Sequence, residues 1–162
     1  MVSACLLGMR CRYDGEHSFC PALKDFVDNV SFIPICPEQL GGLPTPRPPA
    51  NIFGGDGYDV ISGKAVLINI MGKDVTQEFK KGAYDALKLS RSAGSVIAVV
   101  KDRSPSCGLR TPYCEKPSGF GTGVTAAFFE LHGITIYELK SDGLFPTPGF
   151  LELLKEIQGN KE

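Results

Sequence analysis

Two hydrophobic patterns follow one another along the chain. Short, nearly continuous apolar runs at 1–4, 31–35, 95–100 and 134–138 predict strands. Between them, apolar positions recur at helical spacing. Positions 22, 23, 26, 27 and 30 predict a helix over 21–30. Asp74, with Gln77 three residues on, predicts a capped helix whose inner face is Val75, Phe79, Ala83, Ala86, Leu87 and Leu89, closed by Gly94. Residues 124–132 predict a further helix stopped by Gly133, and 149–158 a terminal one. The runs 59–62 and 65–70 flank Gly63-Lys64 and read as a hairpin. Two stretches, 37–59 and 102–123, read as long shaped loops.

The run at 95–100 is apolar on both faces, as suits the middle of a parallel sheet covered on two sides. Pro34 predicts an edge position for the second strand. The order predicts one α/β domain over 1–162. It is a three-layer, Rossmann-like arrangement of mostly parallel strands, with helices on both faces and long Gly/Pro-rich loops.

Composition narrows the partners. The net charge is −1 in 162 residues and no basic block stands out, so no nucleic-acid polymer is expected. No apolar stretch approaches a membrane span, and the N-terminus lacks the layout of a signal peptide, so a cytoplasmic protein is expected. In that reducing setting the six cysteines (5, 11, 20, 36, 107 and 114) are not expected to form a disulfide framework.

Three of them share a position. Cys5 follows the first apolar run, Cys36 the second, and Cys107 the central strand by a few residues. Parallel strands present their carboxyl ends on one edge, where ligands bind. If the three strands are neighbours, the three thiols converge. Three thiolates suit zinc or an iron–sulfur cluster, and a three-ligand cluster leaves one iron open. Around them stand Glu38, in Cys36-Pro-Glu, and Ser104 and Ser106, which flank the Cys107 loop. A carboxylate there can hold or move protons. Arg12 and Arg47 lie in loops that reach toward the same crevice. Gly123 and Thr125 precede a helix, where an anion or a cap fits. Cys11 reads as a buried thiol beside the ligands, with a fourth-ligand role as the alternative, and Cys20 as filler.

Four stretches go further: Ser3-Ala-Cys-Leu-Leu-Gly8 with Cys11-Arg-Tyr-Asp-Gly15; Cys36-Pro-Glu with Gly41-Gly-Leu-Pro-Thr-Pro-Arg47; Lys73-Asp-Val-Thr76; and Ser104-Pro-Ser-Cys-Gly108 with Gly123-Val-Thr-Ala-Ala127. Together they resemble the thiouracil desulfidase family across about residues 1–138. The resemblance implies a four-iron four-sulfur (4Fe-4S) cluster on Cys5, Cys36 and Cys107. It implies an open iron that takes sulfur from a small thiolated base such as 2-thiouracil, and a non-redox replacement of sulfur by oxygen from water. Acid–base help would fall to Glu38 and Ser104. Arg12, Arg47, Ser106, Gly123 and Thr125 are the expected substrate contacts. Open clusters are oxygen-labile, so protein prepared in air is expected to lose the cluster, leaving an empty or zinc-bearing site. Asn51 and Cys114 stand where family members commonly carry an acid. Two other readings stay open. One is a metal- or sulfur-sensing protein that uses the same thiols without turnover; the other is a metal-free thiol redox enzyme.

Overall fold

The computed structural model describes residues 1–26, 28, 30–139 and 148–159. Its main sheet has four parallel strands: β1 (Val2–Ser3), β2 (Pro34–Ile35), β5 (Ile97–Lys101) and β6 (Thr135–Leu139), in the order β2-β1-β5-β6. Val2 stands opposite both Pro34 and Val99, and Ile97 through Lys101 run beside Thr135 through Leu139. Pro34 lies on the edge strand, where its missing N–H breaks no ladder.

Alternation along β5 builds the layers. Ala98 and Val100 face a core shared with Ala86, Leu87 and Phe129. These come from α3 (Thr76–Ser92) and α4 (Val124–Leu131). Val99 faces the other side, with Leu23, Phe26 and Phe150. That side is covered by a 3₁₀ segment, Pro21–Phe26, and by α5 (Pro148–Gly159). Both faces are buried, which explains why the strand carries no polar alternation.

Four expectations need correcting. The helix over 21–30 is a 3₁₀ segment that ends at Phe26, and positions 27 and 29 lie outside the described residues. Residues 59–62 are not half of a hairpin. They fall in or just after α2 (Gly57–Ile61), which is started by Asp56 and Asp59 in reciprocal caps. The strand partner of β4 (Val66–Asn69) is β3 (Ala50–Phe53), inside the stretch read as loop. Leu89 is 42% exposed, so it is not on the inner face of α3. The other inner-face positions are buried. Among the described residues no helix is long and apolar enough to cross a membrane.

One close approach positions the site. The four-residue helix α1 (Pro37–Leu40) lies on α3. A Cβ on Gly82 would overlap the Pro37 carbonyl, and one on Gly41 would overlap the Glu78 carbonyl. Two glycines facing each other's backbone let α1 sit this close, and α1 carries Glu38.

Candidate functional site

β1 connects toward β2 on one side, and β5 lies on the other. The strand order therefore switches at β1, and a crevice opens at the carboxyl ends. A cavity of about 670 Å³ occupies it. Cys5 enters from the 3₁₀ turn Ala4–Leu7 after β1. Cys36 follows β2 and stands at the N-cap position of α1, with Pro37 at the first helical position. Cys107 enters from the loop after β5. All three line the cavity, and so does Cys11. All six cysteines are free thiols. Cys114 points elsewhere, donating to the Thr111 carbonyl at 3.3 Å.

The Cys107 loop is held by Ser104. Its Oγ accepts from the N–H of Ser106 (3.2 Å) and of Cys107 (3.1 Å). With both acceptor positions filled by backbone donors, the hydroxyl proton is left to donate, and Ser104 lines the cavity. Ser106 and Thr125 are behind the loop. Their hydroxyls pair at 2.9 Å and both are buried. Gly123 packs on the Ser106 carbonyl, where a Cβ would stand 2.5 Å away. The structure thus brings Ser104 to the cavity wall and leaves Ser106, Gly123 and Thr125 supporting it from behind.

Opposite stands an ion pair. Arg47 Nε donates to Glu38 Oε2 at 2.5 Å. Arg47 is only 7% exposed and all its donors are engaged: Nη1 with the Pro44 carbonyl and the Thr45 hydroxyl, Nη2 with the Cys11 carbonyl at 3.1 Å. Nη2 also lies 4.0 Å from Cys36 Sγ. Its backbone N–H donates to the Tyr13 carbonyl. Arg47 therefore braces three loops while also lining the cavity. Arg12 lines the cavity with its guanidinium held by Asp14 (2.7 Å) and Ser18 (3.0 Å).

Burial sets the thiols' protonation. Cys107 is pushed up to about 12, chiefly by desolvation. Cys36 is raised by its hydrogen bond with Cys11 and by burial. Cys11 reaches about 11: the Cys36 contact lowers it, while contact with Cys5 and burial raise it further. Metal-free, these groups are thiols at neutral pH, and ligation releases protons.

The donor set is soft sulfur. Among the described residues no three His, Cys, Asp or Glu surround one point closely enough to hold a single ion. Cys5, Cys36 and Cys107 bring three soft sulfur donors to one cavity, the ligand type that zinc and iron–sulfur clusters both take.

Sequence reasoning missed several wall residues. Lys101 lines the cavity with its ammonium on Asp102 at 3.1 Å. Arg103, Tyr13, Tyr113 and Ile70 also line it. Arg103 holds a left-handed backbone (φ 51°), uncommon outside glycine. Tyr113 arrives because its carbonyl accepts from Ile52 of β3, a pairing that no local signal in 102–123 announces.

A parallel α/β sheet with a sulfur-lined crevice at its carboxyl edge is the class that fold and site define. The chain belongs to the 2-thiouracil desulfurase family, which matches residues 1–140. It is 39% identical over 139 residues to the uncharacterized protein YbbK of Bacillus subtilis (strain 168), covering 84% of this chain and 92% of that one. Among solved structures it is similar to the [4Fe-4S]-dependent thiouracil desulfidase TudS. The TM-score is 0.72 and the identity 34%, over 98% of this chain and 96% of that one.

Proposed function

We propose that this protein is a 4Fe-4S-dependent desulfidase that replaces the sulfur of a small thiolated base, of the 2-thiouracil type, with oxygen from water. The observation that carries the reading is the arrival of Cys5, Cys36 and Cys107 from the ends of three neighbouring parallel strands in one cavity that Glu38 and Ser104 also line. The family match and the similarity to TudS support the same reading.

Cys5, Cys36 and Cys107 would hold the cluster, which supplies an iron with an open position for the substrate sulfur. The rest falls to the chain. Arg47 holds one oxygen of Glu38 beside the cavity. The other oxygen is the base that takes a proton from the attacking water. Ser104, with its acceptor positions occupied by two backbone N–H groups, donates its proton into the cavity and orients the base. Lys101, its ammonium paired with Asp102, lines the same wall. Exchange of sulfur for oxygen releases sulfide and needs no external electrons.

The test is turnover of 2-thiouracil to uracil and sulfide by protein purified without oxygen, for the natural chain and Glu38→Gln. The reading expects turnover from the first. It expects a full cluster with little turnover from the second. Equal turnover by both contradicts the role of Glu38. A cluster-bearing natural protein that leaves thiolated bases untouched contradicts the activity.

A further inference from the structure

Most polar side chains on the cavity wall are already engaged within the chain. Arg12 is held by Asp14 and Ser18, Arg47 by Glu38, and Lys101 by Asp102. Among the described residues, the lining side chains of Tyr13, Asn51, Arg103 and Tyr113 make no hydrogen bond and no ion pair. Asn51 differs from the other three. It stands on a strand, β3, and its amide carries a donor and an acceptor side by side.

The register of the β3–β4 pair fixes which way Asn51 faces. Ala50 and Ile52 are buried in a core with Leu67 and Val75. Side chains alternate along a strand, so Asn51 points to the other face. Asn51 stands across from Ile68, and the N–H of Ile70 donates to the Pro49 carbonyl. Pro49, Asn51 and Ile70 therefore share one face, and all three line the cavity. The Ile52 N–H donates to the Tyr113 carbonyl at 2.9 Å, so β3 is held along both edges. An exposed amide without a partner thus enters the cavity from a braced strand, which places a contact more precisely than a loop does.

We propose that Asn51 reads the edge of the substrate ring: Oδ1 accepts from a ring N–H while Nδ2 donates to the carbonyl oxygen beside it. This rests on the desulfidase reading above and makes Asn51 a specificity-determining residue. 2-Thiouracil has one such edge, the N3–H next to the C4 oxygen. Its N1–H has no ring oxygen beside it. The substrate class is then a thiolated pyrimidine with an unsubstituted N3 and an oxo group next to it. A substituent at N1 leaves that edge intact.

The test is steady-state turnover by anaerobically reconstituted full-length protein, for the natural chain, Asn51→Ala and Asn51→Asp. The substrates are 2-thiouracil, 1-methyl-2-thiouracil, which keeps the edge, and 3-methyl-2-thiouracil, which lacks its N–H. In the natural chain KM should rise about tenfold from the 1-methyl to the 3-methyl compound, the scale of a pair of neutral hydrogen bonds. In Asn51→Ala that difference should shrink to about twofold or less, while KM for 2-thiouracil rises about tenfold and kcat changes far less. Asn51→Asp keeps an acceptor for N3–H but sets an oxygen against the C4 oxygen, so its KM for 2-thiouracil should rise as in the alanine variant. A natural chain that does not distinguish the two methyl compounds overturns the proposal and leaves the desulfidase reading standing. So does a preference that survives undiminished in Asn51→Ala, or a loss in that variant confined to kcat. A cluster-bearing natural chain that turns over none of the three bases overturns the desulfidase reading itself.

Discussion

Arg47 Nε and Glu38 Oε2 meet at 2.5 Å, with the guanidinium buried and the carboxylate at the cavity wall. The pair joins the Pro-rich loop to α1, and through Nη2 it joins both to the Cys11 loop. Removing one partner of a buried pair costs about 3–5 kcal/mol because the other charge is stranded. Arg47→Met should lower unfolding stability by about that amount. Arg47→Lys should fall between it and the natural protein, since an ammonium cannot span Glu38, Thr45 and the Cys11 carbonyl together. Denaturant unfolding of the three proteins checks the order. Equal midpoints would show that the brace bears no load.

Glu38→Gln keeps the shape and leaves Arg47 an oxygen to bind. Loss of a positioned base typically costs about 10²–10⁴-fold in rate. The expected result is a kcat lower by that order with iron content and KM close to natural. A rise in KM alone would make Glu38 a binding group instead.

The hydroxyls of Ser106 and Thr125 pair in the core behind the Cys107 loop. Stranding one of them costs about 1–3 kcal/mol. Ser106→Ala and Thr125→Val should each destabilise by that order, while the double variant costs less than their sum. KM for the thiolated base should hardly move. A large KM effect without a stability effect would return these residues to the substrate.

Gly82 and Gly41 let α1 lie on α3. Gly82→Ala places a methyl on the Pro37 carbonyl, next to Cys36 and Glu38 in the chain. The expected outcome is a marked loss of stability together with a lower kcat, because α1 must move outward. Gly63→Ala serves as the control: no atom approaches its Cβ within 4 Å, and the cost there is only that of its left-handed backbone (φ 78°).

The sequence shows the parallel sheet because the runs around β1 and β5 are nearly all apolar, a signal that needs no partner to be read. It shows Cys5, Cys36 and Cys107 for the same reason, since each closes or follows such a run. The β3–β4 pair was hidden because Ala50–Phe53 follows a proline-rich stretch and precedes Gly54-Gly55, so turn signals outweigh four alternating residues. α2 was hidden because its cap is Asp56 with Asp59, and Gly-Asp-Gly reads as a turn. The bracing partners of Arg47 were not legible. They come from other loops, and spacing along the chain carries no trace of which carbonyl a guanidinium will find.

The account depends most on Cys5, Cys36 and Cys107 sharing one cluster. The direct measurement is iron, acid-labile sulfide and zinc on protein purified and reconstituted without oxygen, with its visible spectrum, for the natural chain and Cys107→Ala. About four irons and four sulfides per chain in the first, and their loss in the second, are the predicted result for a cluster of this type. A natural chain that stays metal-free, or holds zinc alone after reconstitution, would contradict the account. So would a Cys107→Ala variant that keeps its full iron.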